Sequence, residues 1–325
     1  MTVAITGASG HVGGNLVREL LSRGVRPRVL VHKDGRALEG LDVEVFRGNV
    51  LDRKSLDPFL DGAELVYHLA ARISIVPGEA AEVQRINVDG VRNVVEACLA
   101  HKVDRLVHFS SIHALSSTPV EQPIDETRPL CSGDDLLPYD RSKAGGEREI
   151  AAGVQKGLDA VTVNPTAVIG PHDYRPSRMG EVFLQLYRRE LPGLVDGGFN
   201  WVDVRDIVDG AIKAGEKGRT GERYLLAGER RTVAELAKLV EEVTGKRAPM
   251  FVSPMWLARG VAPFATAVAK MTKKEPLFTS QSLQALRNHI DIKHDKASRE
   301  LGYQARPLKD TLRDTFAWFG EANRL

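Results

Sequence analysis

Cysteine is nearly missing from this 325-residue chain, which has only Cys98 and Cys131. They show no metal-ligand spacing and no framework of paired bridges, so neither a metal-stapled module nor a disulfide-rich secreted domain is expected. Cys98 falls in an apolar-periodic stretch and reads as a packed thiol. No uncharged run reaches 18 residues, which excludes an ordinary membrane-crossing helix. The most apolar stretch, Met250 to Met271, is broken by Pro254, Arg259, Gly260, Pro263 and Lys270. A pair of core or interface helices is expected there, with peripheral membrane contact through 250–271 as the alternative. Charge of one sign is not in excess either: 45 Lys+Arg stand against 43 Asp+Glu, and no basic run or aromatic-basic stripe occurs. A nucleic-acid partner is therefore not indicated. Low-complexity tracts and internal repeats are lacking as well. Met1 leads straight into apolar Val3-Ala4-Ile5, leaving no room for a leader peptide, so a cytoplasmic location is expected.

What is present is alternation. Strand candidates are Val3–Thr6, Arg28–Val31, Val43–Phe46, Leu65–Leu69, Leu106–Ser110 and Val161–Val163. Helical periodicity fills the intervals at His11–Arg23, Ser55–Leu60, Ala80–Ala100 and Tyr139–Lys156. Such alternation predicts an α/β fold with a doubly wound parallel sheet, whose ligands sit at the carboxyl ends of the strands. Prolines 165, 171, 176 and 192 break the second half into loops. Helices near Gly180–Arg189, Arg205–Lys217, Thr232–Thr244 and Leu308–Phe319 follow, with a strand at Tyr224–Ala227. The expected division is a nucleotide-binding unit over 1–165 with returns near 199–227. A smaller, mostly helical substrate unit would comprise 166–198 and 228–325.

Gly7, Gly10 and Gly13 follow the first strand and open the first helix. Glycines there permit a tight turn and close backbone approach, while free helix amides receive a pyrophosphate. An acidic residue ending the second strand would hold the ribose 2′-hydroxyl of NAD. That strand instead ends Val31-His32-Lys33 with Arg36 behind, which suits the 2′-phosphate of NADP; NAD is the alternative. Asn49 and Val50 follow the third strand, where Asn49 either meets the adenine edge or caps its own loop. Leu69, Ala70 and Ala71 end the fourth strand with small residues that a cofactor or a packed neighbour could approach. Farther on, Tyr139 and Lys143 share one helix face at i and i+4. A nearby ammonium favours phenolate, which predicts a tyrosine pKa pulled below its usual value of about 10.

Together these segments resemble the extended short-chain dehydrogenase/reductase family, of the NAD-dependent epimerase/dehydratase type. The similarity runs through Thr6-Gly7-Ala8-Ser9-Gly10-His11-Val12-Gly13, Tyr67-His68-Leu69-Ala70-Ala71 and Asn87-Val88-Asp89-Gly90. It continues through His108-Phe109-Ser110-Ser111, Asp125-Glu126-Thr127-Arg128-Pro129-Leu130, Tyr139 to Lys143, Gly170-Pro171 and Asn200 to Ile207, ending at Glu300-Leu301-Gly302-Tyr303. Within the family the chain is most similar to dihydroflavonol-reductase-like and hopanoid-associated sugar-epimerase-like members, and more distantly to 3β-hydroxysteroid dehydrogenases. The resemblance implies a catalytic set of Ser111, Tyr139 and Lys143, with no metal. It implies cofactor contacts at Ser9, His11, Val12, His32, Lys33, Asn87, Tyr139, Lys143, Pro165 and Val168 besides the glycines and strand ends already named, with Lys143 holding the nicotinamide ribose hydroxyls. Asn87 would otherwise cap its own helix.

Several positions depart from the family pattern. Asn164 stands where arginine is common, Ile169 where tyrosine is, and Asn49 and Arg205 where aspartate is usual. These departures weaken a nucleotide-sugar substrate. The leading expectation is an NADP-dependent enzyme moving a hydride to or from a small carbonyl or secondary alcohol. A sugar epimerase or dehydratase with a transiently reduced cofactor is the second. A cofactor sensor without turnover is the third, and the presence of Ser111, Tyr139 and Lys143 argues against it. The loops Arg72–Glu79, Ile112–Pro138 and Thr166–Gly198, carrying His113, Arg175 and Arg178, are expected to line the substrate site. Helices Ala80–Ala100 and Tyr139–Lys156, with small Ala144, Gly145, Gly146, Ala151 and Ala152, are expected to build a homodimer interface.

Overall fold

A computed structural model describes residues 1–74, 78–133, 136–258, 260 and 291–325. Its frame is a seven-stranded sheet of order β10-β6-β5-β4-β1-β2-β3, parallel throughout. The strands are β1 (Val3–Thr6), β2 (Arg28–Val31), β3 (Glu44–Arg47), β4 (Leu65–His68), β5 (Arg105–Phe109), β6 (Ala160–Pro165) and β10 (Arg223–Leu226). The expected strands are all present, displaced by no more than three residues at an end. Continuous apolar runs such as Val3-Ala4-Ile5 are what a sheet buried on both faces demands. Val3, Ala4, Ile5, Leu106, Val107, Val161 and Val163 are all fully buried.

Helices cover both faces. On one side, α1 (His11–Ser22) and α7 (Val204–Lys217) pack with α9 (Asp295–Leu301) through Leu16, Val17, Ile207, Ala211 and Leu301. On the other, α2 (Arg53–Leu60), α4 (Gly90–Ala100) and α5 (Pro138–Gln155) close over Val66, Leu106 and Ala160. Cys98 is buried in that second core, and burial pushes its thiol up to about 12. It is a packed thiol, as its periodicity predicts. The strand order reverses direction between β1 and β4, and a crevice opens at their carboxyl ends.

The stretch expected as one helix, Ala80–Ala100, differs in its middle. It runs as α3 (Ala80–Gln84), then a wider π-type turn over Arg85–Asp89, then α4. Such widened turns insert one residue and often mark functional positions.

The carboxy-terminal part holds more sheet than its sequence suggests. β9 (Gly198–Asp203) lies between β7 (Ala167–Ile169), parallel to it, and β11 (Glu229–Thr232), antiparallel. A two-residue strand pair joins β8 (Leu194–Val195) to β12 (Val252–Ser253). Helices α6 (Arg178–Arg188), α8 (Val233–Thr244) and α10 (Leu308–Glu321) enclose a separate core of Phe183, Leu186, Trp201, Leu236, Leu312, Phe316 and Phe319. Thr232 caps α8 in a reciprocal box with Glu235, satisfying two helix-end donors. Most of the segment 250–271 expected as a helix pair or membrane contact lies outside the described residues. No described helix is long and apolar enough to cross a membrane.

Candidate active site

Gly7 turns the chain after β1 with φ +71°, a conformation that costs glycine little and other residues more. A Cβ at Gly7 would lie 2.6 Å from Ala70 N, and one at Gly13 would lie 2.3 Å from Gly7 O. Strand, turn and helix therefore approach as closely as backbone allows. Helix α1 begins at His11 with Gly10 at its cap, no side-chain cap bond and no acidic residue in its first turn. Its positive end and free amides are left for an anion. This glycine cradle with an uncapped helix end fits a dinucleotide pyrophosphate.

A cavity of about 880 Å³ extends from this turn along the carboxyl ends of β1, β2 and β4. It brings together Gly7, Ser9, Gly10, His11, His32, Lys33, Asn49, Val50, Leu69, Ala70 and Ala71. Seven residues named with them do not line it, Tyr139 and Lys143 among them. Gly13 is a packing contact behind the turn, while Val12 and Val168 pack onto the buried core. Pro165 ends β6, and Asn87 sits in the π-type turn. Asn49 caps its own loop, its Oδ1 accepting from Leu51 N at 3.0 Å.

One cavity wall was not legible from sequence. The loop after β7 folds back so that His172, Tyr174 and Arg175 line the same space. Arg175, expected among substrate contacts, stands instead near Asp34 at the end of β2. Asp34 is itself held down to about 2, chiefly by hydrogen bonds from Arg36. His11 and Asn15 pin the start of this loop through the Pro171 carbonyl, each at 3.0 Å.

Asn87 is a clamp. Its Oδ1 accepts from Arg72 N at 2.8 Å, and its Nδ2 donates to Arg72 O at 3.0 Å and Ser142 Oγ at 2.9 Å. The π-type turn thereby ties the loop after β4, which lines the cavity, to α5 at the residue before Lys143.

Ser111, Tyr139 and Lys143 lie together at the end of β5 and the start of α5. Ser111 is buried, and its carbonyl accepts from buried Asn164 Nδ2 at 3.0 Å. Asn164 also donates to Glu147 Oε1 at 2.6 Å, so the residue found in place of arginine fixes the serine's backbone. Tyr139 is the second residue of α5, and its hydroxyl hydrogen-bonds Ser111. The Lys143 ammonium is buried and donates to Phe109 O at 3.0 Å. Burial brings it down to about 8, with Glu147 pulling the other way. The expected lowering of the phenol is not met. Burial pushes Tyr139 up to about 12, the Ser111 hydrogen bond only partly offsetting it and the Asp140 carboxylate adding to the rise. The i, i+4 spacing puts both groups on one face, yet the ammonium is spent on the β5 carbonyl.

Beneath this group, His68 and His108 stack at 5.5 Å, with His68 Nδ1 2.6 Å from Thr6 Oγ1. Burial and the Lys143 charge keep both imidazoles neutral, His68 falling to about 3. A second cavity of about 400 Å³ opens beside Ser111 and Tyr139, which do not line it themselves, at the adjoining Ile112, His113 and Asp140. Leu115, Ile124, Leu130, Leu136, Phe199 and Ile292 give it apolar walls, and among the described residues no lysine or arginine lines it.

Helix α5 is seated by its small residues. A Cβ at Gly145 would meet Val88 at 2.7 Å, and one at Gly146 would meet Asn87 O at 2.7 Å. Those glycines are consumed by packing inside the chain rather than left for a second copy.

This arrangement defines a nicotinamide-dinucleotide enzyme of the short-chain type. Residues 3–227 match the NAD dependent epimerase/dehydratase family, and the chain belongs to it. The chain is 35% identical over 327 residues to the sterol demethylase protein B of Methylococcus capsulatus, covering 99% of each. It is 31% identical over 321 residues to a putative dihydroflavonol 4-reductase of Synechocystis sp., covering 97% of this chain and 93% of the relative. Among solved structures, that of gox2253 superposes with TM-score 0.87 at 31% identity, covering 100% of this chain and 99% of the other.

Proposed function

We propose that this chain transfers a hydride between NADP(H) and a small carbonyl or secondary alcohol, with Tyr139 as general acid/base. The observation that carries this reading is the clustering of Ser111, Tyr139 and Lys143 at the end of β5, next to residues that line an apolar-walled cavity, in a sheet whose β1, β2 and β4 ends open into a dinucleotide-sized cleft. When bound, the nicotinamide supplies or takes the hydride. Ser111 holds the substrate oxygen through its hydroxyl. Tyr139 gives or takes the proton on that oxygen, and its place at the start of α5 lets the helix dipole favour phenolate. Lys143 would hold the cofactor ribose, and its ammonium, if released from the Phe109 carbonyl toward the phenol, would bring the tyrosine nearer to neutral titration.

The preference for NADP rests on Lys33, Arg36 and Arg175 around the end of β2 and on the lack of a free carboxylate there, since Asp34 is paired with Arg36 at 2.7 Å. The substrate is assigned to the second cavity; apolar walls, with no cation among the described residues that line it, suit an uncharged carbonyl better than a nucleotide diphosphate. A homodimer through the outward faces of α4 and α5 completes the reading, and light scattering that gives a monomer mass would remove it.

The test is incubation with NADPH and a panel of cyclic and aromatic ketones. Stoichiometric loss of reduced-nicotinamide absorbance with alcohol formed is expected. A substrate converted with no net cofactor change would replace this reading with the epimerase or dehydratase one.

A further inference from the structure

The turn that seats Ser111 also places an imidazole that the chemistry so far does not use. Ser111 Oγ accepts from His113 N at 3.2 Å, and the short turn over Ile112–Ala114 carries His113 into the wall of the second cavity. Its Nδ1 lies 3.0 Å from Asp140 Oδ1. Its ring meets the Tyr139 ring edge-on, with centroids 5.7 Å apart. Cys131 locks both partners from behind, its thiol reaching the His113 carbonyl at 3.7 Å and the Asp140 carbonyl at 3.4 Å. The opposite nitrogen, Nε2, has no hydrogen-bond partner among the described residues.

We infer that His113, held in the cavity wall by the Ser111 turn, is a specificity residue that binds a second oxygen of the substrate, a hydroxyl one or two carbons from the reacting carbon. The carboxylate lies at ion-pair distance from Nδ1 but makes no hydrogen bond to it, and the ring is held in the cavity wall by the Ser111 turn and the edge-on Tyr139 ring. Nε2 accepts a hydrogen bond when it carries no proton and donates one when it does. A hydroxyl satisfies both states, whereas a lone carbonyl satisfies only the second. The 5.7 Å ring separation sets the span, because Tyr139 addresses the reacting oxygen and His113 its neighbour. With Leu115, Leu130 and Phe199 around it, the cavity would take a vicinal or β-hydroxy ketone, or the matching diol, on an apolar skeleton. This deepens the hydride-transfer reading and rests on it for the reacting centre.

The test compares cyclohexanol with cyclohexane-1,2-diol as alcohols to be oxidised with NADP⁺, in the full-length protein and in His113→Leu and His113→Gln. The leucine variant is expected to lower kcat/KM for the diol relative to cyclohexanol by about tenfold, mainly through KM, the value of one hydrogen bond. Glutamine keeps a donor and acceptor near the Nε2 position and is expected to restore most of that ratio. An equal fall on both alcohols in the leucine variant would assign His113 to scaffolding and overturn the inference. A second measurement does not need turnover: the His113 ring-proton NMR resonance, identified by its loss in His113→Leu, should shift with the diol and not with cyclohexanol. A resonance unmoved by the diol sinks the His113 proposal. A resonance that moves while neither alcohol is oxidised sinks the hydride-transfer reading instead.

Discussion

Two adjacent glycines in α1 should behave in opposite ways when replaced by alanine. At Gly13 the new Cβ would sit 2.3 Å from Gly7 O, 2.8 Å from Ala8 Cα and 3.0 Å from Ala8 C, all of it backbone. No rotamer relieves such a clash, so α1 must back away from the turn by about 1 Å to restore ordinary contact. Overpacking of this kind costs roughly 1–3 kcal/mol of stability. The helix-end amides that receive the pyrophosphate would move with it. Weakening one or two charge-assisted hydrogen bonds corresponds to roughly a 10- to 100-fold rise in cofactor Kd. At Gly14 the nearest atoms are the Arg18 guanidinium at 3.4 Å and Ala37 Cβ at 3.7 Å, both at ordinary contact distance. Alanine there fits, and a helix-interior glycine replaced by alanine gains about 0.5–1 kcal/mol. The assay is nucleotide titration by quenching of protein fluorescence, alongside denaturant unfolding of both variants. Equal cofactor affinity in Gly13→Ala and Gly14→Ala would refute the account of the turn.

Other expectations concern the residues around that cleft. Asn87→Ala removes three hydrogen bonds that tie the Arg72 loop to α5, and urea unfolding should show a loss of roughly 2–4 kcal/mol; a change under about 0.5 kcal/mol would mean that the clamp is not formed. Lys143 has its folded pKa lowered to about 8 by burial, so its charge penalises folding fully below pH 8 and the penalty is relieved as pH rises toward the unfolded value near 10.5. Between pH 8 and pH 10, wild-type stability should therefore rise relative to Lys143→Met by roughly 2 kcal/mol, and a flat difference would contradict the buried ammonium. Arg175→Ala should weaken NADPH binding by roughly tenfold while leaving NADH within about twofold, measured by parallel titrations; an equal loss for both nucleotides would place Arg175 away from the 2′ position.

The nucleotide-binding half was readable because a parallel sheet buried on both faces needs continuous apolar strands, and Val3-Ala4-Ile5 or Leu106-Val107 can be little else. The glycine turn was readable for a related reason, since its backbone contacts leave no room for a side chain. β9 was hidden by its polar residues. Asn200 and Asp203 look like loop residues, but Asn200 accepts from Gly228 N at 2.7 Å across the fold, and Asp203 caps α7 and pairs locally with Arg205 at 2.7 Å. β11, Glu229–Thr232, is a polar strand at the edge of its sheet and carries no apolar alternation at all. The π-type turn over Arg85–Asp89 adds one residue per turn, too small a change for helical periodicity to register. The reach of His172, Tyr174 and Arg175 into the nucleotide cavity depends on a left-handed residue, His172 at φ +62°, and on the long-range bonds to Pro171. Pairings that distant leave no local pattern. The Tyr139–Lys143 spacing was legible as geometry and misleading as electrostatics, because the Phe109 carbonyl that holds the ammonium is 34 residues away.

The central claim is that Tyr139 moves the proton while the glycine turn holds the cofactor. It is tested most directly by Tyr139→Phe, assayed side by side for turnover of a reducible ketone and for NADPH affinity. The account predicts a fall in kcat of roughly 10²-fold or more, with the dissociation constant for NADPH unchanged within about twofold. A variant that turns over at the wild-type rate would contradict it.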